Sequence, residues 1–447
     1  MGVASSATTQ GLDEGDQRLR WFIVGWLTLS TILNLIDRQT LSILAPTLRD
    51  EFGLSNRGYA NIVNAFLFSY TIMYTVGGVM VDRIGERIGM AVCILWWSVA
   101  AMLHGLARGA VSLGIFRFLL GVGEPVNYPA ALRATTSWFT KAERGLPIAI
   151  YSSGSSVGSL IAAPLVAWLT LHYGWRFAFF ATGFLGLIWL SVWLLVYRLP
   201  MREINGVGSR SESPRSERPS PALTNNPASP RLMDLLKDRH VLAILLARFV
   251  TDPVWVFFLF WTPEYLKRDW GFNLKDIGLY AWIPFVFGGL GGVLGGMASD
   301  RLIRAGLSPA AARRRLLYSA AGLAPIGMLT GLVSSAGFSI ALIALMAFVC
   351  YVWFINTAAL VSDIFPERVV GSIQGLMGTT GSIGGMVFTW LAGLLLDSFS
   401  SYKPVFVIAG SGHLLGALIL WSLMRDKRDL LKYEDYRLES PHRNRAD

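Results

Sequence analysis

Both halves of the chain contain repeated apolar stretches of a length that restricts the possible folds severely. The hydrocarbon core of a bilayer is about 30 Å thick, and a helix of about 20 apolar residues crosses it. Of the 447 residues, 53% are hydrophobic and only 15% are charged, against about 25% charged residues in an average soluble domain. Strands of a membrane barrel alternate apolar and polar residues, and these stretches do not. The sequence therefore predicts an all-α membrane protein.

Charged residues and Pro- or Gly-containing breaks divide the apolar sequence into twelve predicted spans. The spans are predicted at about residues 21–44, 59–80, 89–107, 111–132, 146–170, 175–197, 240–266, 277–299, 315–334, 338–361, 372–396 and 404–424. Between the sixth and seventh lies a Ser-, Pro- and charge-rich segment that cannot bury enough apolar surface to fold alone. The predicted organisation is a tail at 1–20, a six-helix bundle at 21–198, a linker at 199–238, a second six-helix bundle at 239–425 and a tail at 426–447.

The positive charges predict the orientation of these spans. The chain has 39 Lys and Arg residues, and most of them lie in the tails, the linker and the loops on the same predicted side. Positive residues are retained on the cytoplasmic side, so we expect both termini and the linker to be cytoplasmic in an inner (plasma) membrane. Basic runs such as Arg313-Arg314-Arg315 are explained by topology and by contact with anionic membrane lipid. We therefore expect no nucleic-acid partner, and residues 1–20 lack the apolar core of a removable signal peptide.

Signatures of catalysis, cofactors and metals are missing from the sequence. Cys93 and Cys350 fall in apolar spans with neither disulfide nor metal spacing, which indicates packed thiols in the core. No Ser/His/Asp or Cys/His set has workable spacing, and no Gly-Lys-Ser/Thr phosphate loop is present. The prediction is a protein that is not an enzyme, has no catalytic residues, cofactor or metal, and draws its energy from a gradient.

Two sequence motifs occur once in each half, a pattern typical of carriers built from duplicated units. The motif Gly78-x-x-x-Asp82-Arg83-x-Gly85-x-Arg87 follows the second span, and Gly296-x-x-x-Asp300-Arg301-x-x-Arg304 follows the eighth. Acidic-basic pairs also precede the fifth and eleventh spans. The first motif resembles the G-x-x-x-D-R-x-G-x-R signature of the major facilitator superfamily, and the resemblance implies the two-bundle fold of that superfamily. It further implies that the loop charges control conformation without contacting substrate; these expected gating residues are Asp82, Arg83, Arg87, Asp300, Arg301, Glu143, Arg144, Glu367 and Arg368.

Charges within the spans resemble one branch of that superfamily. Asp37-Arg38 in the first span and Arg117 with Glu124 in the fourth look like the anion:cation symporter family. The stretch Arg248-Phe-Val-Thr-Asp252-Pro253-Val-Trp255 in the seventh span resembles the bacterial hexuronate (glucuronate/galacturonate) transporters in particular. The resemblance extends over residues 20 to 425, approximately.

A charge in the bilayer centre costs about 3 kcal/mol on insertion scales, so these residues are expected to face a protein interior or water. Arg117 and Glu124 are seven residues apart and return to within about 20° of the same helix face. Arg38 is suited to bind a substrate carboxylate, because its guanidinium stays protonated and offers a bidentate fork. We expect Arg38 and Arg117 to serve the substrate carboxylate and the resting ion pair, Glu124 to be the main proton-coupling residue and Asp37 a second one. The alternative is that these are static structural salt bridges.

A sugar acid also needs partners for its hydroxyl groups. Amides and phenols at positions expected to face the interior are the candidates, with contact between helices as the alternative: Asn34, Asn64, Tyr70, Asn127, Tyr128, Asn356 and Gln374. Pro253 predicts a break of the seventh span, which would leave Asp252 beside freed backbone groups and Trp255 as a stacking surface. Small-residue positions predicted to pack helices closely are Gly154, Gly158, Gly381, Gly384 and Gly385.

These features predict a monomeric, proton-coupled symporter that imports a sugar-acid anion, most plausibly a hexuronate. An aldonate or another small organic anion is the nearest alternative substrate. Galactonate-type relatives carry an aromatic residue where this chain has Leu35, and amides where it has Ser155 and Ser382, which argues against galactonate itself. A sensor without transport activity and an anion channel are alternatives from other classes, although neither needs titratable residues such as Asp37 and Glu124.

Overall fold

The computed structural model describes residues 14–139, 145–197, 235–365 and 367–424, and these residues form helices joined by short turns. The helices are α1 (Glu14–Phe52), α2 (Asn56–Ile84), α3 (Glu86–Leu103), α4 (Ala110–Gly123), α5 (Asn127–Trp138), α6 (Gly145–Tyr173), α7 (Trp175–Val196), α8 (Arg239–Trp270), α9 (Leu274–Tyr280), α10 (Ile283–Arg304), α11 (Pro309–Leu323), α12 (Ala336–Ile364), α13 (Glu367–Phe399) and α14 (Lys403–Leu423). Short 3-10 turns follow α3, α4 and α11.

Within the described ranges, nine helical segments are long and apolar enough to cross a membrane. They include α1, α3, α6 and α7 in the first half and α8, α9 with α10, α12, α13 and α14 in the second. The three other predicted spans coincide with α2, with α4 and α5 together, and with α11 and its 3-10 turn. The all-α membrane architecture is therefore confirmed, while the predicted tail at 426–447 and nearly all of the linker lie outside the described residues.

Two local predictions differ from the structure. Helix α1 begins at Glu14 and ends at Phe52, so it extends beyond the predicted span 21–44 at both ends and includes part of the predicted tail. The predicted break at Pro253 is wrong, because α8 is one continuous helix through Pro253 and Pro263. A proline removes one backbone donor, and here the close packing of α8 against its neighbours keeps the helix intact despite that loss.

Glycines allow close helix packing within each half. In the first half α1 packs on α6, and a Cβ added to Gly158 of α6 would lie 2.7 Å from the carbonyl oxygen of Ile32. In the second half α8 packs on α13, where a Cβ on Gly384 would lie 2.2 Å from the carbonyl oxygen of Phe249. The backbones at these positions approach as closely as small-residue interfaces between membrane helices permit.

The two halves meet at the end of the bundle where α1 stops and α2 starts, which we call the far end. Arg49 of α1 forms an ion pair with Glu264 of α8, and Lys267 forms another with Asp50. The side-chain amide of Asn56 donates to Asp397 of α13 at 2.7 Å.

The opposite end holds the described ends of α1 and α14, and we call it the terminal end. No hydrogen bond or ion pair between described residues joins the two halves there. Among the described residues, the polar contacts that join the halves at an end of the bundle are thus those of the far end.

Candidate functional site

An ion pair between α1 and the end of α4 forms the centre of the first-half charge cluster, defined as Asn34, Asp37, Arg38, Arg117 and Glu124. The Nε atom of Arg38 lies 2.8 Å from Oε2 of Glu124, whose side chain is fully buried. Nη2 of Arg38 donates to Oδ1 of Asn34 at 3.1 Å, one helical turn away. The 15% exposure of the Arg38 side chain makes it the accessible partner of the pair.

Arg117 supports this pair from α4. Its Nη2 donates to the backbone oxygen of Arg38 at 2.8 Å, while its Nε and Nη1 are buried without a hydrogen-bond partner among the described residues. Both guanidiniums lie against the ring of Phe66, at 5.6 Å for Arg38 and 5.5 Å for Arg117. Arg117 and Glu124 are both buried in this one cluster, but it is Arg38 that pairs with Glu124.

Asp37 is 2% exposed, and both of its carboxylate oxygens lack a hydrogen-bond partner among the described residues. An ionised carboxylate buried without a partner is costly, whereas a protonated one carries no charge. The arrangement therefore gives Asp37 and Glu124 different environments, one unpaired and one held by Arg38.

A second buried ion pair lies on α8. Nη2 of Arg248 is 2.8 Å from Oδ2 of Asp252, and the two side chains are 5% and 19% exposed. The Arg248 guanidinium lies 4.3 Å from the ring centroid of Phe354 on α12. Arg248 was not among the predicted site residues, although its spacing of four residues from Asp252 would have placed both on one helix face. We call these two residues the second-half charge pair.

Aromatic side chains lie beside both clusters. The Tyr70 ring lies 4.7 Å from the Arg38 guanidinium, and Trp255, one turn from Asp252, packs edge-on against Tyr351 at 4.8 Å. The Tyr74 ring of α2 is 6.1 Å from that of Tyr70 and lies against the second half, because a Cβ added to Gly378 of α13 would be 3.6 Å from it. The tyrosines of α2 thus extend from Arg38 to the second half.

Several amides predicted to bind substrate are engaged elsewhere. Asn356 is fully buried and donates to the Val352 oxygen at 2.8 Å, and Gln374 donates to the Ala358 oxygen at 3.0 Å. Asn64 donates to the Met386 oxygen across the halves at 3.1 Å. The bonds of Gln374 and Asn64 join two helices, whereas the bond of Asn356 to Val352 lies within α12 and only its longer contact with the Gly295 oxygen, at 3.5 Å, reaches α10.

The remaining predicted contacts differ in exposure. Tyr128 is 48% exposed, and its ring lies 5.8 Å from that of Tyr151. Asn127 is buried, accepts from Ser30 and donates to Thr31. Tyr128 is accessible to a ligand in this state, and Asn127 is not.

The predicted gating residues that the structure describes lie at the terminal end. Arg87 is exposed and donates to the Leu194 oxygen at 2.9 Å, while Arg83 and Arg301 are exposed. Asp300 pairs with Arg313 at 3.4 Å, and Arg313 also pairs with Asp363 at 3.3 Å. These contacts stay within one half and do not bridge the two. The described part of the chain does not include Glu143 and Arg144, nor the side chains of Asp82, Glu367 and Arg368.

A comparable cluster in the first half was missed from sequence. Buried Glu86 of α3 accepts hydrogen bonds from Arg133 and Ser137 of α5 and from Tyr197 at the end of α7, and these elements meet only in the folded chain. No group of metal-ligating residues occurs in the described ranges, and Cys93 and Cys350 are buried free thiols, as predicted.

Comparison with known proteins places the chain in a family. The sequence profile of the Major Facilitator Superfamily matches residues 27–389 and 310–439. The hexuronate transporter of Escherichia coli (strain K12) is 30% identical over 410 residues, which cover 92% of this chain and 95% of that protein. The galacturonate transporter of Dickeya chrysanthemi is 33% identical over 278 residues, covering 62% of this chain and 81% of that one.

A solved structure supports the same fold. The inward-facing, occupied form of a bacterial homolog of the human lysosomal transporter Spinster superposes with a TM-score of 0.70 at 17% identity, covering 96% of this chain and 100% of that one. The superfamily consists of transporters and not of enzymes. With its helical membrane architecture, its profile match over most of its length and its similarity to hexuronate transporters, the chain belongs to the Major Facilitator Superfamily.

Proposed function

We propose that the protein is a proton-coupled symporter that carries a sugar-acid anion, a hexuronate such as glucuronate or galacturonate. The observation that carries the proposal is the Arg38–Glu124 ion pair at 2.8 Å, with the arginine more accessible than the acid. A guanidinium held by an internal carboxylate can exchange that partner for a substrate carboxylate of the same geometry. The names of the curated relatives support the hexuronate class.

Exchange of the partner supplies the coupling. When Glu124 takes up a proton, its charge-assisted bond to Arg38 weakens and the guanidinium becomes available to the anion. The loaded first-half charge cluster then carries no more net charge than the resting one, because one proton enters with one anion. Asp37, whose buried carboxylate oxygens accept no hydrogen bond within the described part of the chain, is the second residue suited to carry a proton.

Alternating access follows from closing one end while the other is open. The far-end contacts of Arg49 with Glu264 and of Asn56 with Asp397 tie the halves together on that side. With the termini in the cytoplasm, as the distribution of Lys and Arg favours, closure of the far end is what an inward-facing state requires. Transport requires the far end to open and the terminal end to close, where Asp82, Arg83, Arg87, Asp300, Arg301 and the two acidic-basic pairs would act.

We further infer twelve spans in two bundles of six, at 21–198 and 239–425, joined by a cytoplasmic linker. Helices α2, α4 with α5, and α11 with its turn supply the three spans beyond the nine apolar segments of the described ranges. The protein works as a monomer in an inner membrane, with its basic loops against anionic lipid.

Competition for uptake tests the proposed function. Proteoliposomes with an inward proton gradient would be given labelled galacturonate together with unlabelled uronates, aldonates or aromatic acids. Competition by hexuronates, and loss of accumulation on adding a protonophore, are expected. If no hexuronate competes, the assignment of the substrate class is wrong.

Counterflow of labelled against unlabelled galacturonate, measured without a proton gradient, separates a carrier from a channel or a sensor. Exchange without net current requires an alternating carrier, so absence of exchange by a folded protein that binds galacturonate would argue for the other classes.

A further inference from the structure

Of the side chains predicted to bind substrate in the second half, few remain available to a ligand. Asn356 and Gln374 donate to backbone oxygens of their own half. The second-half charge pair and Trp255 remain, and Asp252 is the more exposed member of that pair, at 19% against 5% for Arg248. A ligand that spans both halves would therefore contact the Asp252 carboxylate before the Arg248 guanidinium.

The position of that carboxylate is fixed from two sides. Arg248 holds Oδ2 at 2.8 Å, and the Arg248 guanidinium is itself stacked on Phe354. On the other side, a Cβ added to Gly381 of α13 would lie 2.0 Å from the same oxygen. The carboxylate can accept hydrogen bonds from hydroxyl groups, while Trp255 one turn away offers an apolar ring face.

A carboxylate in this place also excludes ligands. A second acid group on the substrate would meet Asp252 as a like charge at close range and in a largely desolvated place, which is strongly unfavourable. Specificity is often obtained by such a repulsive element in addition to attractive contacts.

We propose that Asp252 is a specificity-determining residue that accepts the hydroxyl-bearing end of a sugar monoacid and rejects a sugar diacid, and that Arg248 is a positioning residue for it. This inference rests on the proposed function, because the first carboxylate is the one bound by Arg38. The removal of the Asp252 charge leaves the buried Nε, Nη1 and Nη2 of Arg248 without an internal anion, so the site then attracts a second carboxylate.

Galacturonate and galactarate form a matched pair of probes, since they share the configuration of their hydroxyl carbons and differ in the number of carboxylates. Their dissociation constants would be measured with the purified full-length protein by competition against labelled galacturonate. We expect the wild type to bind galactarate at least tenfold more weakly than galacturonate, and Asp252→Asn to shift this ratio at least tenfold toward galactarate. Arg248→Gln keeps the acid and removes its partner, so it should weaken galacturonate binding and still exclude galactarate.

Glu51→Gln is the control, because it removes a carboxylate that pairs with Arg176 within the first half at the far end. The ratio of its dissociation constants for galactarate and galacturonate should stay at the wild-type value. Three results would each overturn this inference and leave the proposed function standing. They are equal binding of the two acids by the wild type, an unchanged ratio in Asp252→Asn, and binding of galactarate by Arg248→Gln. If Asp252→Asn does not fold, the wild-type ratio and Arg248→Gln still decide. Failure of the wild type to bind either acid would overturn the proposed function and this inference with it.

Discussion

Arg38 is held on two sides by different kinds of contact. Its guanidinium bonds to Glu124 and Asn34 at one edge and stacks on the Tyr70 ring at 4.7 Å. The planar group satisfies both the fork geometry and the stacking contact, which the ammonium of a lysine would not. Charge alone therefore does not describe what this position requires.

Arg38→Lys should weaken galacturonate binding roughly 10- to 100-fold, since a hydrogen bond to a charged group contributes about 1.5–3 kcal/mol. The measurement is the dissociation constant of the purified variant. Arg57→Lys is the control, because Arg57 is a far-end residue with a half-exposed side chain 3.7 Å from Asp397. A normal dissociation constant for Arg38→Lys would show that the substrate is bound elsewhere.

Glu124→Gln should abolish concentrative uptake driven by a proton gradient and retain counterflow, because the amide cannot exchange a proton but still occupies the same space. Uptake and counterflow in the same proteoliposomes check this result. Glu124→Asp, which keeps a titratable group, should retain part of the concentrative uptake. Accumulation by Glu124→Gln against a gradient would remove Glu124 from the coupling mechanism.

The positions of the helices could be predicted from the sequence more accurately than the side-chain contacts between them. Apolar length predicted α6, α7 and α12 closely, because a helix needs about 20 apolar residues to cross the bilayer. The pairing of Arg38 with Glu124 could be suspected from their positions in buried spans. The pairing of Asp300 with Arg313 and Asp363 could not, because it depends on how α10, α11 and α12 pack at one end. Likewise, the continuity of α8 through Pro253 is set by tertiary packing and not by local propensity.

Gly384→Ala should lower the melting temperature, since its Cβ would lie 2.2 Å from the Phe249 oxygen and overpacking costs about 1–3 kcal/mol. Gly375→Ala on the same helix is the control, because nothing lies within 4 Å of its Cβ. An alanine there should be neutral or stabilise the helix by up to about 1 kcal/mol. Equal melting temperatures for the two variants would contradict the close approach of α8 and α13.

At the scale of the whole molecule, ion pairs and hydrogen bonds between the halves close the far end in this state. Ala60, fully buried beside Gly393 at the far end, reports on that closure. Glu264→Gln breaks the ion pair with Arg49 and should raise the fraction of molecules open at the far end. The rate at which Ala60→Cys reacts with a membrane-impermeant maleimide measures that fraction, and we expect a severalfold increase.

The control for that experiment is Glu51→Gln, which breaks a more exposed far-end ion pair, with Arg176, that lies within a single half. It should leave the labelling rate of Ala60→Cys unchanged. If both variants accelerate labelling equally, general loosening of the far end and not release of the contact between halves is responsible.

The break in the helix at Glu124 places a charged residue of the site at an interruption of its own membrane span. Helix α4 ends at Gly123, and Glu124–Val126 form a 3-10 turn before α5. Pro125 has no amide hydrogen, so it donates no α-helical bond back along the chain, and the backbone is more easily bent here than in an uninterrupted helix. The residue that binds Arg38 therefore sits at the joint of its own span, where a change of charge and a change of helix direction can occur at the same place, without a relay through the rest of the bundle.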